Sequence, residues 1–160
     1  ANYTPASAKP FAEACKNAGV DGVIIFPQAG PEAERAYIYQ LLNNDLNVIV
    51  GGVMTHSQYL KIDSGFLSDE KAYEIYKIAA KMGITNFVAP GNNIKRLKKI
   101  KEIVEAEGVI PKIHSPGLIT QNGDVEESAA LFDKFNGIIG RGIYGKENIR
   151  EAAINATSKL

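Results

Sequence analysis

The sequence has one cysteine and no tryptophan among its 160 residues. The single thiol, Cys15, excludes an internal disulfide and a cysteine-based metal cage, so we expect a reducing, cytoplasmic location. Long hydrophobic runs are also missing, since the apolar stretches 22–26 and 48–50 fall far short of the roughly 20 residues of a membrane helix. No basic-then-apolar leader opens the chain. We therefore expect a protein that neither spans a membrane nor is exported.

An excess of charge of either sign is absent as well, because 18 basic residues balance 18 acidic ones. Such a chain creates no global field that would attract nucleic acid or an anionic membrane. The predicted helix 94–106 contains a run of lysines, but lysines at the exposed positions of an amphipathic helix, followed by glutamates, indicate a solvated face. We expect no nucleic-acid partner and no membrane partner, so any bound anion must be held by local groups.

Short β-rich apolar runs alternate with longer segments of helical period along the whole chain, without a linker or a break in composition. The pattern predicts a single domain, 1–160, with five strands and six helices. The predicted strands are 22–26, 47–53, 85–89, 109–114 and 137–140, and the predicted helices are 7–18, 31–42, 68–83, 94–106, one opened by Asp124 and Glu127, and 146–157. Alternation of this kind is typical of α/β proteins with parallel strands. An open doubly wound sheet and part of a closed TIM barrel both fit the pattern.

The last two loops that join a strand to a helix have unusual sequences. Segment 115–124, Ser-Pro-Gly-Leu-Ile-Thr-Gln-Asn-Gly-Asp, suits a loop whose backbone N–H groups and Gln121 meet an anion or a base edge. Segment 140–145, Gly-Arg-Gly-Ile-Tyr-Gly, places Arg141 between glycines, where a guanidinium group can give a phosphate two parallel hydrogen bonds. Either segment alone is typical of ordinary turns. Together, in the last two βα units, they favour a phosphate site.

These two loops resemble, in spacing and in order, the paired nucleotide-binding motifs of archaeal-type orotidine 5′-monophosphate decarboxylases. Segment 53–56, Val-Met-Thr-His, resembles the Met-Ser-His of that family at the end of a barrel strand, and segment 89–91, Ala-Pro-Gly, resembles its turn after the next strand. The resemblance covers nearly the whole chain. It implies a TIM (β/α)8 barrel of which residues 1–160 supply only about five βα units, as one partial domain with strands four to eight.

The resemblance also implies roles for particular residues. Arg141, with the backbone near Gly140 and Gly142, would hold the 5′-phosphate of the nucleotide. Gln121 would bridge phosphate and pyrimidine from a mobile loop, and Thr55 would hydrogen-bond the base.

Three further positions follow from the same comparison. Pro116 would line the pocket beside the base. Thr4, in segment 2–4, aligns loosely with polar residues near the ribose and the partner subunit's site. Phe26 stands where the family often has a histidine, which puts a polar role at that position in doubt.

The family's reaction uses no metal and no organic cofactor, and it depends on an Asp-x-Lys-x-x-Asp motif and a further lysine. The nearest string here is 69–74, Asp-Glu-Lys-Ala-Tyr-Glu, whose helical pattern places Asp69 and Lys71 about 200° apart around the axis. It is interpreted as the start of a surface helix. We expect the catalytic residues before Ala1, this chain alone to be inactive, and a missing N-terminal barrel segment or a partner chain to complete the barrel.

The resemblance implies a carboxy-lyase that converts orotidine monophosphate to uridine monophosphate and carbon dioxide in de novo pyrimidine biosynthesis, as a homodimer. A sugar-phosphate decarboxylase or hexulose-phosphate synthase of the same barrel superfamily, which uses a metal, remains an alternative, although Gln121 favours the nucleotide enzyme. A non-catalytic phosphate-binding half-barrel is a second alternative. His56 and His114, the only histidines, leave a metal triad possible by count, but satisfied or exposed side chains are the expectation.

Overall fold

The computed structural model describes residues 4–121 and 123–158 and contains a five-stranded parallel sheet in the order β1-β2-β3-β4-β5. The strands are β1 (Gly22–Ile25), β2 (Asn47–Gly51), β3 (Asn86–Val88), β4 (Lys112–Ser115) and β5 (Lys134–Gly137). Strands that follow each other in the chain are neighbours in the sheet, so the strand order never turns back toward the other edge. A doubly wound sheet would contain a reversal of that order. The order therefore confirms the α/β class and selects the barrel alternative.

Within the described residues seven α-helices precede, connect and follow the strands. They are α1 (Ala8–Asn17), α2 (Pro31–Asn43), α3 (Asp69–Lys81), α4 (Ile94–Glu105), α5 (Val125–Ala129), α6 (Arg141–Tyr144) and α7 (Ile149–Thr157). Two helix starts follow the predicted capping residues, because Ser68 accepts a hydrogen bond from Lys71 N and Asp124 accepts one from Glu127 N. In the part of the chain that the structure describes, no helix has the length and apolar character of a membrane span.

The hydrophobic core lies between the helices and one face of the sheet. Side chains alternate between the two faces of a strand, and in β2 Val48 and Val50 are buried whereas Asn47 is exposed. In β4 and β5, Ile113 and Phe135 pack with the core, so Lys112 and Lys134 lie on the opposite face. The sheet is therefore covered by helices on one side and carries polar side chains on the other.

The predicted position of the last strand was wrong. The sequence analysis placed it at 137–140, but β5 is Lys134–Gly137, paired with β4 from Lys112 to Ser115. Only Phe135 of this strand packs against the core, because its neighbours lie on the polar face of the sheet. The strand therefore lacks an apolar run, and the prediction shifted to the isoleucines that follow it.

Two predictions near the carboxyl end also need correction. Segment 140–145, expected as a loop, contains α6, whose turn closes when the Gly140 carbonyl accepts hydrogen bonds from Ile143 N at 2.9 Å and Tyr144 N at 3.1 Å. The last helix was expected at 146–157 but begins at Ile149, because Asn148 caps it by accepting a hydrogen bond from Glu151 N at 3.0 Å.

Candidate functional site

The loops that follow β2, β3 and β4 are joined at the carboxyl edge of the sheet. Gly91 N donates a hydrogen bond to the Pro116 carbonyl at 2.8 Å, and Asn92 Nδ2 donates one to the Thr55 carbonyl at 3.3 Å. Parallel strands end at the same edge, where α/β barrels bind their ligands. The structure therefore brings Thr55 and Pro116, both singled out from the sequence, into one group of loops.

Gly117 is the point at which these loops come closest. Its φ is +86°, and a Cβ built there would lie 2.8 Å from Thr55 Cγ2, 3.1 Å from Gln121 Oε1 and 3.3 Å from Asn92 Cγ. Only glycine combines that backbone conformation with so little space. Thr55 and Gln121, which the sequence analysis assigned to the same ligand, therefore meet around one glycine.

The amide oxygen of Gln121 is buried, and it has no hydrogen-bond partner among residues 4–121 and 123–158. A buried polar atom without a partner costs about 1–3 kcal/mol, so such atoms are rare in folded proteins. A ligand that brought an N–H or O–H donor would satisfy this oxygen. The arrangement is typical of a site that is completed by its ligand.

The loop 115–123 is held in shape by its own backbone. Gly123 N donates to the Gly117 carbonyl at 3.2 Å, and Ile119 N donates to the Gly123 carbonyl at 2.9 Å. The Ser115 hydroxyl is buried and donates to the Ala89 carbonyl at 2.9 Å, which ties the end of β4 to the end of β3. Ile119 has a φ of +64°, a conformation that is unfavourable for a β-branched residue. Strain of this kind is found most often at functional sites.

Arg141 begins α6, which packs against this loop through the neighbouring Gly142. A Cβ built at Gly142 would lie 3.2 Å from Ile139 Cγ2 and 3.4 Å from Ile119 Cβ. Arg141 is exposed, and no carboxylate of the described residues lies within ion-pair distance of it. The guanidinium group is therefore available to an external anion beside the Gln121 loop.

Thr4 has a local structural role. Its backbone N–H donates to Ser7 Oγ at 3.2 Å, and Ser7 Oγ is 2.8 Å from Tyr37 Oη of α2. None of its hydrogen bonds within the described residues reaches the loops after β2, β3 or β4. Asn2 and Tyr3, the rest of the predicted segment, lie outside the described residues.

Each histidine contacts neighbouring side chains, His114 through hydrogen bonds and His56 through an aromatic ring. His114 lies in β4 with Asn86 Oδ1 3.3 Å from its Nε2 and Asn136 Nδ2 3.4 Å from its Nδ1, and burial lowers its pKa. His56 is exposed, and its ring meets the Tyr59 ring edge-on at 5.4 Å. Over 4–121 and 123–158, no group of three or more His, Cys, Asp or Glu side chains is placed to hold a metal ion.

The string 69–74 is a surface helix start, as predicted. Asp69 Oδ2 accepts a hydrogen bond from Ile62 N at 3.2 Å, and Lys71 forms an ion pair with Glu74 at 2.6 Å along the exposed side of α3. Both side chains are engaged locally, Asp69 with the backbone of the turn before α3 and Lys71 with Glu74 of the same helix.

Sequence analysis missed Asn92, whose side chain joins two of the site loops. Asn92 precedes Asn93, the N-cap of α4, and a pair of asparagines before a helix is typical of capping alone.

At Phe26 the doubt about a polar role is supported, because its ring covers Gly51 so closely that a Cβ at Gly51 has no room. In the sequence, Gly51 at the end of β2 was the available signal that a large side chain such as Phe26 packs there.

The order of the parallel strands and their helices is that of part of a (β/α)8 barrel, and the candidate loops lie at the carboxyl ends of its strands. No protein-family model matches the chain. It is similar to the orotidine 5′-phosphate decarboxylase of Methanosphaera stadtmanae, with 29% identity over 139 residues that cover 85% of this chain and 58% of the relative. The enzyme of the same name from Methanocaldococcus jannaschii is 31% identical over 137 residues, 83% of this chain and 58% of the relative.

Solved structures give the same result. The crystal structure of orotidine 5′-monophosphate decarboxylase from Methanocaldococcus jannaschii complexed with the inhibitor BMP matches with a TM-score of 0.77 and 26% identity, covering 98% of this chain and 68% of that one. The Sulfolobus solfataricus enzyme matches in fold with a TM-score of 0.74, at 19% identity, over 96% of this chain and 67% of that one. The resemblance to archaeal orotidine 5′-phosphate decarboxylases is confirmed over most of the chain, which spans 58% of the length of the curated relatives named here.

Proposed function

We propose that this chain forms the nucleotide-binding part of an orotidine 5′-monophosphate decarboxylase, a carboxy-lyase that makes uridine monophosphate and carbon dioxide in de novo pyrimidine biosynthesis. The observation that supports it best is the meeting of Thr55 and Gln121 around Gly117, with an unsatisfied amide oxygen on Gln121. An aromatic base with N–H groups provides the donors that this oxygen lacks.

In this proposal Arg141 and the backbone at Gly140 and Gly142 bind the 5′-phosphate. The exposed guanidinium group supports the role, because a phosphate can accept two parallel hydrogen bonds from it. Gln121 bridges phosphate and base, and it lies in the loop that meets Thr55 at Gly117 and packs against α6 through Ile119.

Thr55 and Pro116 contact the base in the same proposal. Their loops are joined through Asn92 and Gly91, so the two side chains are held relative to each other before a ligand binds. A ribose role for Thr4 has weaker support, because its backbone and hydroxyl already cap the turn Pro5–Ser7.

The catalytic lysines and aspartates of the family have no counterpart in these 160 residues. We infer that a further barrel segment or a partner chain supplies them, and that residues 1–160 alone are inactive. On this view the chain is one partial domain with strands four to eight of the barrel, in a homodimeric cytoplasmic enzyme that requires neither metal nor organic cofactor. The relatives, of which the chain covers 58%, are long enough to contain the remaining units.

Calorimetric titration with uridine monophosphate tests the binding proposal. Uridine monophosphate should bind, and Gln121→Ala should weaken binding about tenfold, since a hydrogen bond is worth about 1 kcal/mol or more. Gln40→Ala, which changes a glutamine of α2 outside the site loops, is the matched control and should bind as the native protein does.

The same samples separate the alternative functions. Release of carbon dioxide from orotidine monophosphate by the whole protein supports the decarboxylase. Binding of a pentulose phosphate in preference to uridine monophosphate would assign the site to the sugar-phosphate enzymes. Nucleotide binding by the whole protein without carbon dioxide release would leave a non-catalytic phosphate-binding half-barrel.

A further inference from the structure

A cavity of about 280 Å³ lies between α2 and α3, at residues different from those of the candidate nucleotide site. Its walls come from the loop after β1, the start of α2, and α3. Most of this lining is apolar and includes Leu67, Ile75 and Ile78. The cavity is at the small end of the range for ligand sites, so it suits a small molecule or a single side chain.

Two carboxyl groups line this cavity, those of Glu34 and Glu74, and Glu34 is the buried one. Glu34 is only 1% exposed, and its Oε1 has no hydrogen-bond partner among residues 4–121 and 123–158. The polar groups beside it are already engaged, because Lys71 is paired with Glu74 at 2.6 Å and Gln28 Nε2 donates to Tyr59 Oη at 2.7 Å. The buried carboxyl therefore lacks a donor of its own.

The charges around Glu34 do not compensate for its burial. Burial raises the pKa of Glu34 to about 8, Arg35 on the same helix lowers it, and Glu74 on α3 raises it further. Buried carboxylates are normally paired with a cation or replaced by the neutral acid. An incoming cation would supply both the missing donor and the missing charge.

We propose that the cavity between α2 and α3 binds a cationic nitrogen group, an ammonium or guanidinium on a small apolar body, through the Glu34 carboxylate. The apolar walls receive the body of the ligand, and Glu34 accepts the N–H groups. Two sources share this chemistry: a free small amine, and the lysine or arginine side chain of a second copy of the chain. Water alone satisfies the carboxyl less well, since it brings no charge.

Calorimetric titration of the purified protein with isopentylamine, and with isopentanol as the neutral analogue, tests the proposal. The amine should bind at least about tenfold more tightly than the alcohol, as expected for a charge-assisted hydrogen bond. Its affinity should rise between about pH 6.5 and about pH 9, because the Glu34 carboxyl must lose its proton before it can pair with a cation. Glu34→Gln should abolish the preference for the amine, and Glu32→Gln, an exposed glutamate on the same helix, should retain it.

Three results would overturn the proposal: equal binding of amine and alcohol, no binding of the amine by a protein that also does not self-associate, or an unchanged preference in Glu34→Gln. If Glu34→Gln does not fold, the pH dependence of amine binding by the native protein tests the role of Glu34. An affinity that does not change with pH contradicts that role. Sedimentation distinguishes the two sources. Self-association that isopentylamine reverses assigns the cation to a second copy, whereas amine binding by a monomer assigns it to a free amine.

Discussion

The methyl group of Thr55 lies against the backbone of Gly117, so that a Cβ at Gly117 would be 2.8 Å from Thr55 Cγ2. We predict that Gly117→Ala destabilises the fold by about 1–2 kcal/mol from its φ of +86° alone, and by more from the collision. Binding of uridine monophosphate should fall with it, because the displaced loop contains Gln121. Urea unfolding and calorimetric titration measure the two effects.

Gly83 provides the control for that variant. It has a φ of +82° with nothing within 4 Å of a Cβ built there, so Gly83→Ala introduces the backbone strain without a collision. Thr55→Ser, which removes only the methyl group, should recover part of the stability of Gly117→Ala. If Gly83→Ala and Gly117→Ala lose the same stability and neither affects nucleotide binding, the contact between Thr55 and Gly117 has no functional role.

Most helices and most strands could be predicted because their patterns are local. Ser68 and Asp124 cap helices where their sequences indicate, and apolar residues repeat at helical spacing on the buried sides. The hydrogen bond from Asn92 to the Thr55 carbonyl could not be predicted, because it joins residues 37 positions apart through the fold. Glu34 was also hidden, since a glutamate in the first turns of a helix is normally exposed beside the positive end of the dipole.

The Gln121 loop should become more protected when nucleotide binds. Gly117 and Gly123 bracket this segment, and the unsatisfied Oε1 of Gln121 gives a ligand a group to order. Hydrogen exchange followed by mass spectrometry should show slower exchange for amides 117–121 with uridine monophosphate, and no change for Val50 in the buried centre of β2. Equal exchange with and without nucleotide would make Gln121 a fixed contact and exclude a lid.

Glu34 should make the protein less stable as pH rises. Its pKa is about 8 in the folded state and ordinarily 4.5, so between these values the folded state binds more protons than the unfolded state. The free energy of unfolding therefore falls across this window, by up to about 5 kcal/mol, and this contribution is constant on either side. Urea unfolding of the native protein and Glu34→Gln at several pH values measures the difference.

Subtraction isolates the contribution of Glu34. His114, whose pKa burial lowers, contributes the opposite slope, and it cancels because both proteins contain it. Glu32→Gln should keep the native pH dependence. A native protein and a Glu34→Gln variant with parallel stability profiles would show that the carboxyl is compensated in solution.

The 160-residue chain alone should associate or aggregate. Within the described sheet β1 and β5 each pair on one side only, and Ile24 and Ile138 beside these edges are 49% and 44% exposed. Unpaired edges template pairing with other chains. Sedimentation should show species larger than 17.3 kDa, and Ile24→Lys should reduce them more than Ile62→Lys, which changes a 78% exposed residue of the 3-10 turn Lys61–Asp63. A soluble monomer at every concentration would contradict this prediction.

Arg141→Ala should weaken nucleotide binding in the complete enzyme by about 2–5 kcal/mol, the loss expected when a bound anion loses its charged partner. Arg141→Lys should bind nucleotide more weakly than the native protein and more tightly than Arg141→Ala, because an ammonium group keeps the charge but cannot form two parallel hydrogen bonds with a phosphate. Arg150→Ala, which removes an exposed arginine from α7, is the matched control and should bind as the native protein does.

The kinetics of the same variant distinguish phosphate binding from a structural role of Arg141. If the binding energy of the phosphate is used to order the Gln121 loop, kcat/KM should fall for orotidine monophosphate and stay unchanged for orotidine, which has no phosphate. A structural role predicts an equal loss for both substrates, since α6 packs against Ile119 through Gly142 whether or not a phosphate is bound. An equal loss would therefore assign Arg141 to the packing of α6 and remove it from the proposed phosphate site.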